Sequence, residues 1–143
     1  MTDLPASLEN TRDDFLALSG NDRIQLLLEF ANELPDLPAR YADHPELLER
    51  VEECQSPVYI FVEVDADQVV HVFATAPHEA PTTRGFASIL VNGLSGLTAT
   101  QVLAVTPDFP NMLGLGDIIS LLRLRGMTGM LGRIKRQVAE KLS

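Results

Sequence analysis

Tryptophan is absent from this 143-residue chain, cysteine occurs once and histidine three times. The single cysteine, Cys54, cannot close an internal disulfide, which fits a reducing compartment and predicts a cytoplasmic protein. His44, His71 and His78 lie far apart, with neither H-x-x-x-H nor C-x-x-C spacing, so no metal site is expected. Neither a G-x-G-x-x-G nor a Walker-type glycine loop occurs, and no cofactor is expected. There is no apolar run of about 18 residues, so no membrane span is expected. The opening "MTDLPASLENTRDD" has no basic region and no apolar stretch, and it does not read as a signal peptide.

Positive charge is also scarce, at 11 Lys and Arg against 20 Asp and Glu, for a net charge of −9. Such a surface repels phosphate backbones and anionic lipid, so neither nucleic acid nor membrane is expected as a main partner. The bases are unevenly spread: residues 1–122 hold 5 against 19 acids, whereas residues 123–143 hold 6 against 1. That basic tail has two readings, a solvated helix face or a docking surface for an acidic partner.

What is present is enough apolar material, 45% of residues, for one core, and the chain reads as a single domain over residues 1–143. "SLENTRDDFLAL" predicts a short helix capped by Ser7 or Asn10. "NDRIQLLLEFANEL" predicts a stronger one, with Asn21 as cap and a broad apolar face, ended by "PDLPAR". "SPVYIFVEV" predicts a strand from about Val58 to Val64, "DADQ" a turn and "VVHVFATA" the return strand. "TTRGFASILVNGL" reads as a helix ended at "GLSG", and "TATQVLAV" as a short helix capped by Thr98. "TPDFPNMLGLG" reads as a loop, and about Leu122 to Leu142 as a last amphipathic helix. The economical packing of this order is α+β, a small antiparallel sheet against several helices.

Few residues offer chemistry. The adjacent carboxylates Glu52–Glu53 and Asp13–Asp14 are what so acidic a composition produces by chance, and no Ser–His–Asp arrangement is recognisable. Cys54 remains. Free cysteine is often a small buried hydrophobe, yet Cys54 lies in a polar Glu-Glu-Cys-Gln-Ser run just before a strand, where loops tend to hold reactive groups. Both readings stand on spacing alone, and the neighbouring glutamates disfavour the thiolate that would react.

"RVEECQSPVYI" resembles the V-x-G-C-x-S-x-V-W signature of SufE-type cysteine desulfuration proteins, through Val51, Cys54, Gln55, Ser56 and Val58. Tyr59 stands where tryptophan is usual, and Glu53 replaces the glycine before the cysteine. "DRIQLLLEFANELPDLP", "RGFASILVNGLSGLTATQVLAV" and "FPNMLGLGDIISLLRLRGMTGMLGRIK" resemble further stretches of the family in its own order, over roughly residues 12–138. The last places Arg123, Gly126, Met130 and Ile134 on the family pattern, with Arg125 where asparagine or glutamine is frequent.

This resemblance implies a SufE/IscU-like fold and a sulfur acceptor that activates a pyridoxal-phosphate-dependent cysteine desulfurase of the SufS type. Cys54 would carry the persulfide to a SufBCD scaffold for iron–sulfur cluster assembly. Arg123 would contact the thiolate or the partner, and Glu53, Gln55, Ser56, Arg125 and Gly126 would face the partner. Such a chain is a sulfur-transfer partner rather than a stand-alone enzyme. The alternatives are an interaction module with a structural cysteine and an independent cysteine-nucleophile enzyme. A further expectation is that Glu52 and Glu53 keep the free thiol protonated, with basic groups supplied on docking.

Overall fold

In the computed structural model, which describes residues 4–142, the β-rich middle of the chain forms one antiparallel sheet. Its strands are β1 (Glu49–Arg50), β2 (Tyr59–Val64) and β3 (Val70–Thr75), in the order β1-β2-β3. β2 and β3 are the hairpin expected from their aromatic and β-branched content, in a register that pairs Phe61 with Phe73 and Val62 with Val72. The connecting turn is built by Asp65, whose carboxylate accepts from the amides of Asp67 and Val69 at 2.9 and 3.0 Å. Alternation sends Ile60, Val62, Val70, Val72 and Ala74 into the core. Phe61 and Phe73 point to the other face, where the ring of Tyr41 covers them with centroids 5.0 Å from each.

The described residues also form six helices: α1 (Ala6–Leu16), α2 (Gly20–Ala31), α3 (Ala39–Ala42), α4 (Pro81–Leu94), α5 (Ala99–Leu103) and α6 (Leu121–Leu142). The chain is therefore α+β, with a small antiparallel sheet as expected. α4 is the central helix, buried without interruption from Gly85 to Val91. It packs between β3 and α2, and Gly85 lets α2 approach so closely that a Cβ there would stand 2.5 Å from the Leu27 carbonyl oxygen. α6 lies along β2 and seals the core with Leu124, Met127, Met130, Leu131, Ile134 and Val138, close to the face predicted from its periodicity.

Three details differ from the sequence reading. α1 begins at Ala6 behind Pro5, so neither Ser7 nor Asn10 caps it; the Ser7 hydroxyl instead donates to the Gly93 carbonyl at 2.6 Å and ties α1 to α4. α2 begins at Gly20 behind Ser19, which leaves Asn21 inside the first turn. The expected loop over 106–116 contains a 3-10 turn, Phe109–Leu113, whose Phe109 and Leu113 are fully buried. Thr98 does cap α5, in a capping box with Gln101.

β1 is too short to serve the whole edge of β2. Where it ends, the buried Gln137 of α6 takes over: its Oε1 accepts from the Val62 amide at 2.9 Å while its Nε2 donates to Glu49 at 2.9 Å. A side chain thus replaces the missing strand partner.

Candidate functional site

Cys54 sits in the loop that joins β1 to β2. The loop is pinned at its base by Val51 and Val58, both fully buried, with the Val51 amide donating to the Val58 carbonyl at 2.9 Å. The Cys54 amide donates back to the Val51 carbonyl at 3.1 Å, a tight return that turns the cysteine side chain inward. Glu52, Glu53 and Gln55 are exposed, whereas Cys54 is only 7% exposed. The polar run that marks the loop as a surface feature therefore carries one residue that faces inward.

The floor beneath the loop is α6, and glycine makes the fit possible. A Cβ on Gly126 would stand 2.9 Å from the Cys54 Sγ, and one on Gly129 would stand 2.6 Å from the carboxyl carbon of Glu53. Successive loop residues rest on bare backbone one helical turn apart. Arg133, one turn further along, holds the loop from its side. Its Nη1 donates to the Glu53 carboxylate at 2.9 and 3.0 Å, and its Nε donates to the Arg50 carbonyl at 3.3 Å and lies 3.2 Å from Glu49. Arg136 pairs with Glu49 as well, so β1 and the loop are tied to α6 by a small ionic network.

A cleft of about 300 Å³ opens at the thiol. Six of the residues singled out in the sequence line it: Glu53, Cys54, Gln55, Ser56, Arg123 and Gly126. Arg125 does not; it lines a neighbouring groove on the other side of the loop, beside Glu53 and Arg133. Sequence reasoning missed the opposite wall, formed by Glu79 just ahead of α4 and by Thr82 and Thr83 in its first turn. It also missed Arg50 and Arg133. The only signal for Arg133 was the basic tail, whose two readings left its individual residues unassigned.

Burial pushes the Cys54 thiol up from its ordinary 9.0 to about 11, and the Glu53 carboxylate adds to the rise. Arg133 and Arg50 pull the other way without cancelling it. Glu53 is thus the glutamate that acts on the thiol, and the opposing guanidiniums are those two rather than that of Arg123. Among the described residues no histidine lines the cleft. The arrangement holds a sheltered, protonated thiol with no imidazole lining its cleft, so the thiolate is disfavoured as the site stands.

Comparisons with known proteins place the chain in a family. The SufE family model, described as an Fe-S metabolism associated domain, matches residues 9–138. A SufE-like protein of Mycobacterium tuberculosis is 51% identical over 137 residues, covering 96% of this chain and 94% of its own. A cysteine desulfuration protein SufE of Plasmodium vivax is 28% identical over 124 residues, covering 79% of this chain and 51% of its own. The solution structure of a hypothetical protein from Thermus thermophilus superposes with a TM-score of 0.85 at 36% identity, covering 98% of both chains. Among the described residues no helix is long and apolar enough to cross a membrane. With its single thiol seated in the signature loop and the family match running through all six helices and the sheet, the chain belongs to the SufE family of proteins associated with iron–sulfur metabolism.

Proposed function

We propose that this protein is the sulfur acceptor and activator of a SufS-type, pyridoxal-phosphate-dependent cysteine desulfurase, and that Cys54 carries the sulfur onward to a SufBCD scaffold in the cytoplasm. One observation carries the reading: the chain's one cysteine lies at the signature position, sheltered at a cleft with room for an added sulfur atom. The relatives named as cysteine desulfuration proteins support it. In the transfer, the Cys54 thiolate attacks the terminal sulfur of the desulfurase persulfide. The sulfur–sulfur bond of that persulfide breaks, a new one forms on Cys54, and the desulfurase cysteine leaves as a thiolate that takes up a proton. There is no net oxidation, and no external oxidant is needed.

The cleft residues take roles within that reading. Glu53, Gln55 and Ser56 present the loop to the partner, and Arg125 belongs to the contacting face of α6. Gly126, expected to face the partner, is instead buried as the seat of Cys54. Arg123 lies on the cleft rim where an incoming thiolate or persulfide would meet it. An independent cysteine-nucleophile enzyme is the weaker reading, since the cleft provides no histidine among the described residues.

The test is sulfide release from cysteine by the SufS-type enzyme of the same organism, with wild-type protein or Cys54→Ser, and mass spectrometry of the acceptor. Strong stimulation by wild type alone, with one or more sulfur atoms gained at Cys54, is the expected result. Equal stimulation by both proteins, or none by either and no added sulfur, would leave the chain as an interaction module.

A further inference from the structure

We infer that Arg133 is a positioning residue of the sulfur-accepting loop, clamping it onto the glycine floor of α6 through Glu53, and that release of this one ion pair is what unseats Cys54. The inference deepens the acceptor reading and rests on it for its meaning, although the geometry stands by itself. Glu53 occupies the place where the family signature has glycine, so the clamp comes from this chain's own sequence.

Three observations carry it. Arg133 reaches three successive parts of one segment: Glu49 and the Arg50 carbonyl on β1, and the Glu53 carboxylate through two contacts of 2.9 and 3.0 Å. The Arg133 side chain is only 20% exposed, which limits screening by water and salt. The Glu53 carboxyl group is pressed onto Gly129 next to the seat of Cys54 on Gly126, so the two residues lie down together or lift together. A docking surface that offers Arg133 another carboxylate, or Glu53 another cation, would break the pair and let the loop rise.

The groups facing Cys54 are Glu53 on the loop, Arg50 on β1, Arg123 and Arg133 on α6, and Glu79 ahead of α4. Removing charge at Glu53 and at Arg133 therefore acts on the thiol in opposite directions. That opposition separates a clamp from a purely electrostatic effect. Losing the guanidinium makes the thiol less acidic, and losing the carboxylate makes it more acidic, but either loss opens a clamp.

The experiment is the rate of carbamidomethylation of Cys54 by iodoacetamide at fixed pH and salt, in the full chain. Glu53→Gln and Arg133→Gln should each react about fivefold faster than wild type, the order expected for one partly buried ion pair, and the double variant no faster than the faster single. Hydrogen exchange at residues 52–55 should rise in both single variants while the amides of β2 stay protected. Arg133→Lys should fall between wild type and Arg133→Gln. Glu53→Asp keeps the charge but shortens the reach, and it should also react faster. Because residue 53 is exposed, this variant reports even if Arg133→Gln fails to fold. A slower or unchanged Arg133→Gln, or an unchanged Glu53→Asp, would overturn the clamp. Alkylation needs no desulfurase, so its outcome is independent of the sulfur-transfer assay and the two readings can fail separately.

Discussion

The chain has a single thiol, and its surroundings keep it protonated. With the folded-state value raised to about 11 from 9.0, Cys54 is almost wholly protonated at neutral pH. The same shift links the thiol to stability. In the unfolded chain the proton leaves near 9.0, in the folded chain near 11, so the stabilising contribution is fully present below about pH 9. It is lost as pH rises through about 11. Urea midpoints of wild type should therefore fall more steeply than those of Cys54→Ser between about pH 8 and about pH 10.5. Parallel pH profiles for the two proteins would remove the burial argument. The direction of the shift was legible in the sequence, since the Glu-Glu-Cys run pointed to a suppressed thiolate. Its largest cause, burial, was not, and neither was the division of labour between the two glutamates. Glu52 and Glu53 are indistinguishable in one dimension, and only the loop's return at Val51 decides which of them faces the helix.

At the scale of elements, α6 supplies the floor of the site, the clamp and a substitute strand partner. The last role has a measurable value. Gln137→Leu should leave the Val62 amide unsatisfied on a buried edge and cost about 1–3 kcal/mol, read as a lower urea midpoint with the slope unchanged. A loss near zero would mean that water serves the Val62 amide equally well. The hairpin and α6 were legible because six-residue alternation and a 22-residue apolar stripe are long enough to show a period. β1 and α3 were not, being two and four residues long. The pairing of Glu49 and Arg50 with β2 depends on a register set by the loop and not on β propensity. The cap of α2 moved from Asn21 to Ser19 because the turn at Gly20, with φ near +31°, starts the helix earlier than the side-chain pattern suggests.

For the whole molecule, charge and apolar exposure are distributed around the cleft. Ile118, Leu121 and Leu122 are large and exposed at the entry to α6, and Leu122 shares the cleft wall with Arg123. On a chain with a net charge of −9, this is a place where apolar surface and positive charge meet beside the thiol. Under the acceptor reading, Leu122→Asp should weaken stimulation of the desulfurase about tenfold or more with the thermal midpoint unchanged, measured as the concentration giving half-maximal sulfide release. An unchanged concentration would place docking elsewhere. The basic tail had two readings in the sequence, and its residues divide in a way that neither anticipated. Arg133 and Arg136 are committed to Glu49 and Glu53, whereas Arg123 and Arg125 line the cleft and its neighbouring groove.

The contacts that shelter Cys54 also fix when in folding the shelter arrives. Glu53 meets Arg133 across 80 positions of chain, Val62 meets Gln137 across 75, and Glu49 meets Gln137 across 88. Closures that long cost more chain entropy than the local hairpin of β2 and β3, so they follow it. A chain that formed the hairpin before these closures would have no floor beneath its cysteine loop. The thiol that the native protein keeps covered would then be open to an oxidant that the mature fold excludes.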